Sequence, residues 1–88
     1  MSKADRELKK LGFELVGESN YGLCYRRKVN WLGEYFTQIV DICWQSSGEH
    51  FLRMFNLENP ASINGGLTLR EMKWFYKKFE DWSKTQNS

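Results

Sequence analysis

Glu34-Tyr-Phe-Thr-Gln-Ile-Val-Asp-Ile-Cys-Trp-Gln45, Ser46-Ser-Gly48 and Glu49-His-Phe-Leu-Arg-Met-Phe-Asn56 read as strand, turn and strand. Both flanks are rich in branched and aromatic residues, which suit a pleated, half-buried surface. A three-residue loop ending in glycine is a type I turn with a bulge, and it forces its flanks antiparallel. That loop sets Asp41 opposite Arg53, Val40 opposite Met54 and Ile39 opposite Phe55. An opposite-charge cross-strand pair is what a correct register provides.

Upstream, two more strands are expected over 13–18 and 21–30. Ser19-Asn20 serves as a two-residue hairpin loop, which sets Leu15 opposite Cys24 and Val16 opposite Leu23. Trp31-Leu32-Gly33 serves as a second three-residue loop, which sets Cys24 opposite Val40 and Tyr25 opposite Ile39. Short joints between sequential strands give a four-stranded meander. Ser2 and Asp5 form a capping box ahead of Ala4, Leu8 and Leu11, so a short helix opens the chain and Gly12 stops it. Residues 57–66, with Pro60 and the Gly65-Gly66 pair, form a loop. Thr68 and Glu71 cap a last helix whose apolar stripe is Leu69, Met72, Phe75, Tyr76, Phe79 and Trp82. The tail 85–88 is expected to fray. The fold class is α+β, one domain over 1–88: short N-terminal helix, antiparallel meander, and a C-terminal helix packed on one sheet face.

Alternation then sorts the strands into two faces. Phe13, Leu15, Cys24, Val40, Ile42, Trp44, Leu52 and Met54 make an apolar core face for the helix stripe. Arg26 and Lys28 fall on that side too, at the sheet margin, their stems covering apolar surface. The second face mixes Val16, Tyr21, Leu23, Tyr25, Ile39, Cys43, Phe51 and Phe55 with Arg27, Asp41 and Arg53. A helix of about 16 residues is roughly 24 Å long and covers one side of such a sheet only. The second face is left as a surplus apolar surface, larger than a monomer usually exposes. It can meet another protein, be covered by the long loop or the N-terminal helix, or bind nucleic acid.

Composition narrows the classes. Among 88 residues, 41% are hydrophobic and 16% aromatic, so the chain can build a core and wholesale disorder is excluded. No apolar run approaches the ~20 residues of a membrane-spanning helix, and no secretory signal is expected from the charged stretch at residues 1–7. Two cysteines do not make a disulfide scaffold, so a reducing cytosolic setting with free thiols is expected. A net charge of +2 is too small to argue nucleic-acid binding from bulk electrostatics.

The chemistry of catalysis is sparse. His50 is the sole histidine, with no second ligand at metal spacing, and it reads as an edge residue opposite Trp44. Cys24 and Cys43 read as small hydrophobes, with Cys43 the better nucleophile candidate because Arg27 and Arg53 share its face. Gly65-Gly66 before a helix lacks the lysine of a phosphate loop. No metal, no cofactor and no enzymatic activity are expected. The expected role is a binding module whose contact residues are Tyr21, Tyr25, Arg27, Phe51, Arg53, Phe55 and Trp74. Trp74 enters because it lies off the helix stripe, and tryptophan is enriched among interface anchors. The alternative is a single-strand nucleic-acid binder stacking bases on Tyr21, Tyr25, Phe51 and Phe55, with Arg27 and Arg53 near phosphates.

Leu11-Gly-Phe-Glu-Leu-Val-Gly-Glu18, Tyr25-Arg-Arg-Lys28 and Gly66-Leu-Thr-Leu-Arg-Glu-Met72 with Phe75-Tyr-Lys-Lys-Phe79 resemble small proteins of Gram-positive phages and prophages. The resemblance implies an accessory product acting in the bacterial cytosol, where proteins of this kind often bind and redirect a host protein, a defence nuclease included. Its partner would be a second copy or a bacterial host protein. A weaker likeness, carried by Gly66-Leu-Thr-Leu69, is to coactivator-type single-strand binders, which follow a four-stranded sheet with one helix and dimerise.

Overall fold

A computed structural model describes residues 2–44, 50–59 and 66–86. The element order is α1 (Lys3–Lys10), β1 (Glu14–Ser19), β2 (Gly22–Trp31), β3 (Glu34–Trp44), β4 (His50–Asn56) and α2 (Leu69–Gln86). The four strands form one antiparallel sheet in the order β1-β2-β3-β4. The expected α+β architecture is the observed one. The Ser46-Ser47-Gly48 loop, the Pro60–Gly65 stretch and the last two residues of the tail lie outside the described residues.

Both helix starts follow their capping boxes. The Ser2 hydroxyl accepts the Asp5 amide at 3.1 Å. The Thr68 hydroxyl accepts the Glu71 amide at 3.1 Å, while the Glu71 carboxylate accepts the Thr68 amide at 2.8 Å. Reciprocal bonds of this kind satisfy amides that the first turn leaves without intrahelical partners.

The β3–β4 register is as expected: Asp41 faces Arg53, Val40 faces Met54 and Ile39 faces Phe55. The Arg53 guanidinium donates to Asp41 at 2.8 Å. The β2–β3 register is one residue away from expectation. Tyr25 faces Val40 and Cys24 faces Asp41, because Trp31 pairs with Glu34 and leaves a two-residue loop, Leu32-Gly33. Leu32 has φ 52° and Gly33 φ 86°. Two positive φ values are the signature of a type I′ turn, whose twist matches that of the flanking strands. The Asn30 side chain braces the turn by accepting the Gly33 amide at 3.1 Å.

A one-residue slip turns every side chain of a strand to the other face. Leu23, Tyr25 and Arg27 therefore face the helices, and Cys24, Arg26 and Lys28 face away. This corrects the expected core face at Cys24 and the expected outer face at Leu23, Tyr25 and Arg27. The β1–β2 hairpin differs as well. Its loop is Asn20-Tyr21, Gly17 faces Cys24, and the ladder shifts between Leu15 and Gly17. The irregularity leaves Val16 out of the paired positions and lets Leu15 share the Tyr25 side. At Gly22 the chain approaches β3 so closely that a Cβ would overlap the Ile42 carbonyl, so only glycine fits there.

The core consists of Leu8, Phe13, Leu23, Tyr25, Val40, Ile42, Phe75, Phe79 and Trp82. Phe75 meets Phe13 and Tyr25 edge-on, with ring centroids 4.7 Å and 5.2 Å away. The α2 stripe is rotated from expectation. Glu71, Phe75, Phe79 and Trp82 are buried, whereas Leu69, Met72 and Tyr76 are exposed. Trp74 and Lys78 instead turn toward α1. The Lys78 ammonium lies 2.8 Å from the Asp5 carboxylate, and Trp74 packs against the core with the Lys3 ammonium 5.6 Å from its ring. Both helices thus lie on one side of the sheet, and α1 takes up area that would otherwise fall to α2.

The Leu32 conformation carries a testable cost. A branched side chain in the left-handed region costs roughly 1–2 kcal/mol, which asparagine largely avoids. Leu32 is exposed and gains little burial in return. The change Leu32→Asn is expected to raise stability by about 1 kcal/mol in urea denaturation. A neutral or destabilising result would refute the turn assignment.

Candidate interaction surface

The face turned away from the helices is built from the outward residues of β2, β3 and β4. Cys24, Arg26 and Lys28 stand beside Asp41, Ile39 and Thr37, which stand beside Arg53 and Phe55. Phe51 and Tyr21 extend it at one end, and both are exposed. The Arg53 guanidinium also lies 5.6 Å from the Phe55 ring centroid. A shallow depression of about 460 Å³ is lined by Tyr21, Cys24, Asp41, Cys43 and Arg53 among others.

Each cation on this face has a carboxylate beside it. Arg26 lies 3.2 Å from Glu14, Arg53 lies 2.8 Å from Asp41, and Lys28 lies 4.0 Å from Glu58. Glu58 also accepts the Thr37 amide at 2.8 Å and the Thr37 hydroxyl at 2.9 Å. Those bonds hold the Glu58 carboxyl below its ordinary range. In this way Glu58 prolongs the β3–β4 ladder past Asn56, whose own side chain accepts the Glu58 and Asn59 amides.

Of the expected contact residues, Tyr21, Phe51, Arg53 and Phe55 lie on or beside this face. Tyr25 and Arg27 do not. Tyr25 is buried against Phe75, and its hydroxyl has no hydrogen-bond partner among the described residues. Burial, with Asp5 and Glu18 nearby, raises that hydroxyl's pKa. Arg27 is drawn under α2, where its guanidinium pairs with Glu71 and donates to the Gln38 carbonyl at 3.1 Å and 2.7 Å. Trp74 is half-buried at the junction of the helices, rather than standing clear of the surface.

The chemistry of the two thiols is muted. Burial and the neighbouring Asp41 carboxylate push the Cys24 thiol up to about 11, and the same causes raise Cys43. A thiol is a nucleophile only as thiolate, so neither is activated at neutral pH. His50 faces Trp44 in the ladder and its ring lies 4.6 Å from that of Phe79. Among the described residues, no three His, Cys, Asp or Glu side chains gather as a metal site, and no helix is long and apolar enough to cross a membrane.

Sequence reasoning missed Arg26, Lys28 and Glu58 on this face. The signal for the first two was present in β2 itself, where Leu23 and Tyr25 alternate with Cys24, Arg26 and Lys28. That alternation places the large apolar residues inward, and the assumed loop length overrode it. No protein-family model, curated protein or solved structure matches the chain.

Proposed function

We propose that the chain is a non-catalytic accessory binding module that meets a bacterial host protein through the outer sheet face. The partner class follows from the resemblance to phage and prophage proteins. The observation that carries the contact surface is the pairing of Arg26, Lys28 and Arg53 with Glu14, Glu58 and Asp41 beside Phe51 and Phe55. Cations already matched by carboxylates offer little net field to a phosphate backbone, whose binding depends on unneutralised lysine and arginine. Aromatic groups ringed by paired charges instead suit a protein partner, with an apolar centre and a polar rim. Single-strand binding has less support, since Tyr25 and Arg27 lie beneath α2.

The test is retention from a Gram-positive host lysate on the immobilised chain. One protein in stoichiometric amount is expected, and Phe55→Glu should abolish its capture. No enrichment, or capture indifferent to Phe55→Glu, overturns the reading. Oligonucleotide binding that weakens steeply with salt would overturn it in favour of nucleic acid.

A further inference from the structure

The exposed half of the α2 stripe does not stand alone. Met72 and Tyr76 continue onto Leu52 and Phe51 of β4 and line a groove of about 510 Å³, with Lys73 and Glu80 at its rim. Among the described residues, no strand pairs with the outer edge of β4. An exposed edge beside an apolar groove is a template for another strand.

The polarity of that edge can be read from one bond. Leu57 donates its amide to the Thr37 carbonyl at 2.8 Å, which marks that pair as the hydrogen-bonded kind. Hydrogen-bonded pairs recur at every second residue of an antiparallel ladder. Phe55, Arg53 and Phe51 therefore aim their peptide groups at β3, and Met54, Leu52 and His50 aim theirs outward. The groove also has a level along the strand. His50 lies against Phe79, while Met54 accepts from Gln38, whose amide also reaches the Gly66 carbonyl just before α2. Leu52 thus comes level with the middle of the groove, near Tyr76.

We infer that the chain pairs with a second copy of itself, β4 against β4 antiparallel, with the two-fold axis at Leu52. This goes beyond the host-protein reading and does not rest on it, since the site is the β4 edge with its groove and not the outer sheet face. The axis makes Leu52 exchange amide and carbonyl with its own counterpart. It sets Phe51 beside the second copy's Arg53, a cation–π pairing. The next register, centred on Arg53, would oppose two guanidinium groups. The same axis passes near Tyr76 and brings Lys73 toward the second copy's Glu80. Lys73 and Glu80 stand about two turns apart on α2 and form no ion pair with each other or with other described residues. Strand edge, apolar groove and helix charges are all self-complementary about one line, as an isologous interface requires.

Sedimentation equilibrium tests this. The expected mass is twice 10.5 kDa. Leu52→Lys should return the chain to monomer, and far-ultraviolet circular dichroism checks its fold. Lys73→Glu and Glu80→Lys, both at the helix surface, should each weaken the dimer about tenfold, and the double reversal should restore it. A monomer persisting to about 1 mM, the limit of useful affinity, overturns the inference. So does a dimer indifferent to Leu52→Lys and to both charge reversals. A monomer that still captures a host protein through Phe55 sinks self-pairing alone. A dimer that captures none sinks only the reading of the outer face.

Discussion

Replacing Glu71 with alanine is expected to cost the fold about 3–5 kcal/mol, a large share of the 5–15 kcal/mol that holds a small domain together. Glu71 and Arg27 are both largely buried, with 7% and 15% of their side chains exposed. The guanidinium lies 4.1 Å from the centre of the Phe13 ring and also donates to Gln38. Removing the carboxylate leaves a cation with no opposite charge in a site that water barely reaches. The pair itself contributes little beyond an apolar replacement, since the desolvation of both ions offsets much of their attraction. The double change Arg27→Met with Glu71→Met should therefore recover most of what either single change loses. Glu71→Gln can keep the capping bond and removes only the charge, so an intermediate loss is expected.

Acid should reproduce the effect without mutation. Burial alone would raise the Glu71 carboxyl, but hydrogen bonds from Arg27 and Thr68 together with the Arg27 charge hold it below its ordinary 4.5. A carboxyl lowered in the folded state contributes stability above its unfolded value and loses it as pH falls through the folded one. Asp5 acts in the same sense: burial raises it, and Lys78 and Ser2 more than reverse this, below an ordinary 3.8. Urea denaturation should show stability declining below about pH 4.5, with a shallower decline in Arg27→Met/Glu71→Met. A loss under about 1 kcal/mol in Glu71→Ala would show that the ion pair does not secure α2.

Phe75→Ala is the second large effect, at about 3–5 kcal/mol in equilibrium unfolding. Phe75 is fully buried, and it touches the sheet through Tyr25 and the β1 entry through Phe13. Its loss removes two edge-on aromatic contacts and opens a cavity where α2 meets the sheet. Leu69→Ala is the control. Leu69 belongs to the same expected stripe but is 84% exposed, so a change within about 0.5 kcal/mol is expected. Equal losses at the two positions would contradict the observed rotation of α2.

That rotation marks a boundary in what the chain's order of residues could reveal. An apolar helical stripe reads as one face, yet α2 splits it. Phe75, Phe79 and Trp82 enter the core, while Leu69, Met72 and Tyr76 remain outside it. Packing against α1 decides the split, through Lys78 on Asp5 and Trp74 beside Lys3. Neither contact has any signature in the spacing of apolar residues. The Arg27–Glu71 pair is equally invisible, because it joins residues 44 positions apart. Tyr25 and Arg27, expected on the outer face, lie instead on the helix side, against Phe75 and Glu71.

What the residues determined by themselves is local. Ser2 with Asp5 and Thr68 with Glu71 start the helices, because a capping box is closed by bonds within one turn. Asp41 and Arg53 specify the β3–β4 register, because opposite charges recognise each other across adjacent strands. The tertiary structure decided between two phases of β2, one favoured by its own alternation of Leu23 and Tyr25 with Arg26 and Lys28, the other by a three-residue loop. Its phase hangs on one residue at Leu32-Gly33, where two turns of different length join the same strands. The choice is settled by burying Leu23 and Tyr25 in the core and leaving Arg26 and Lys28 exposed.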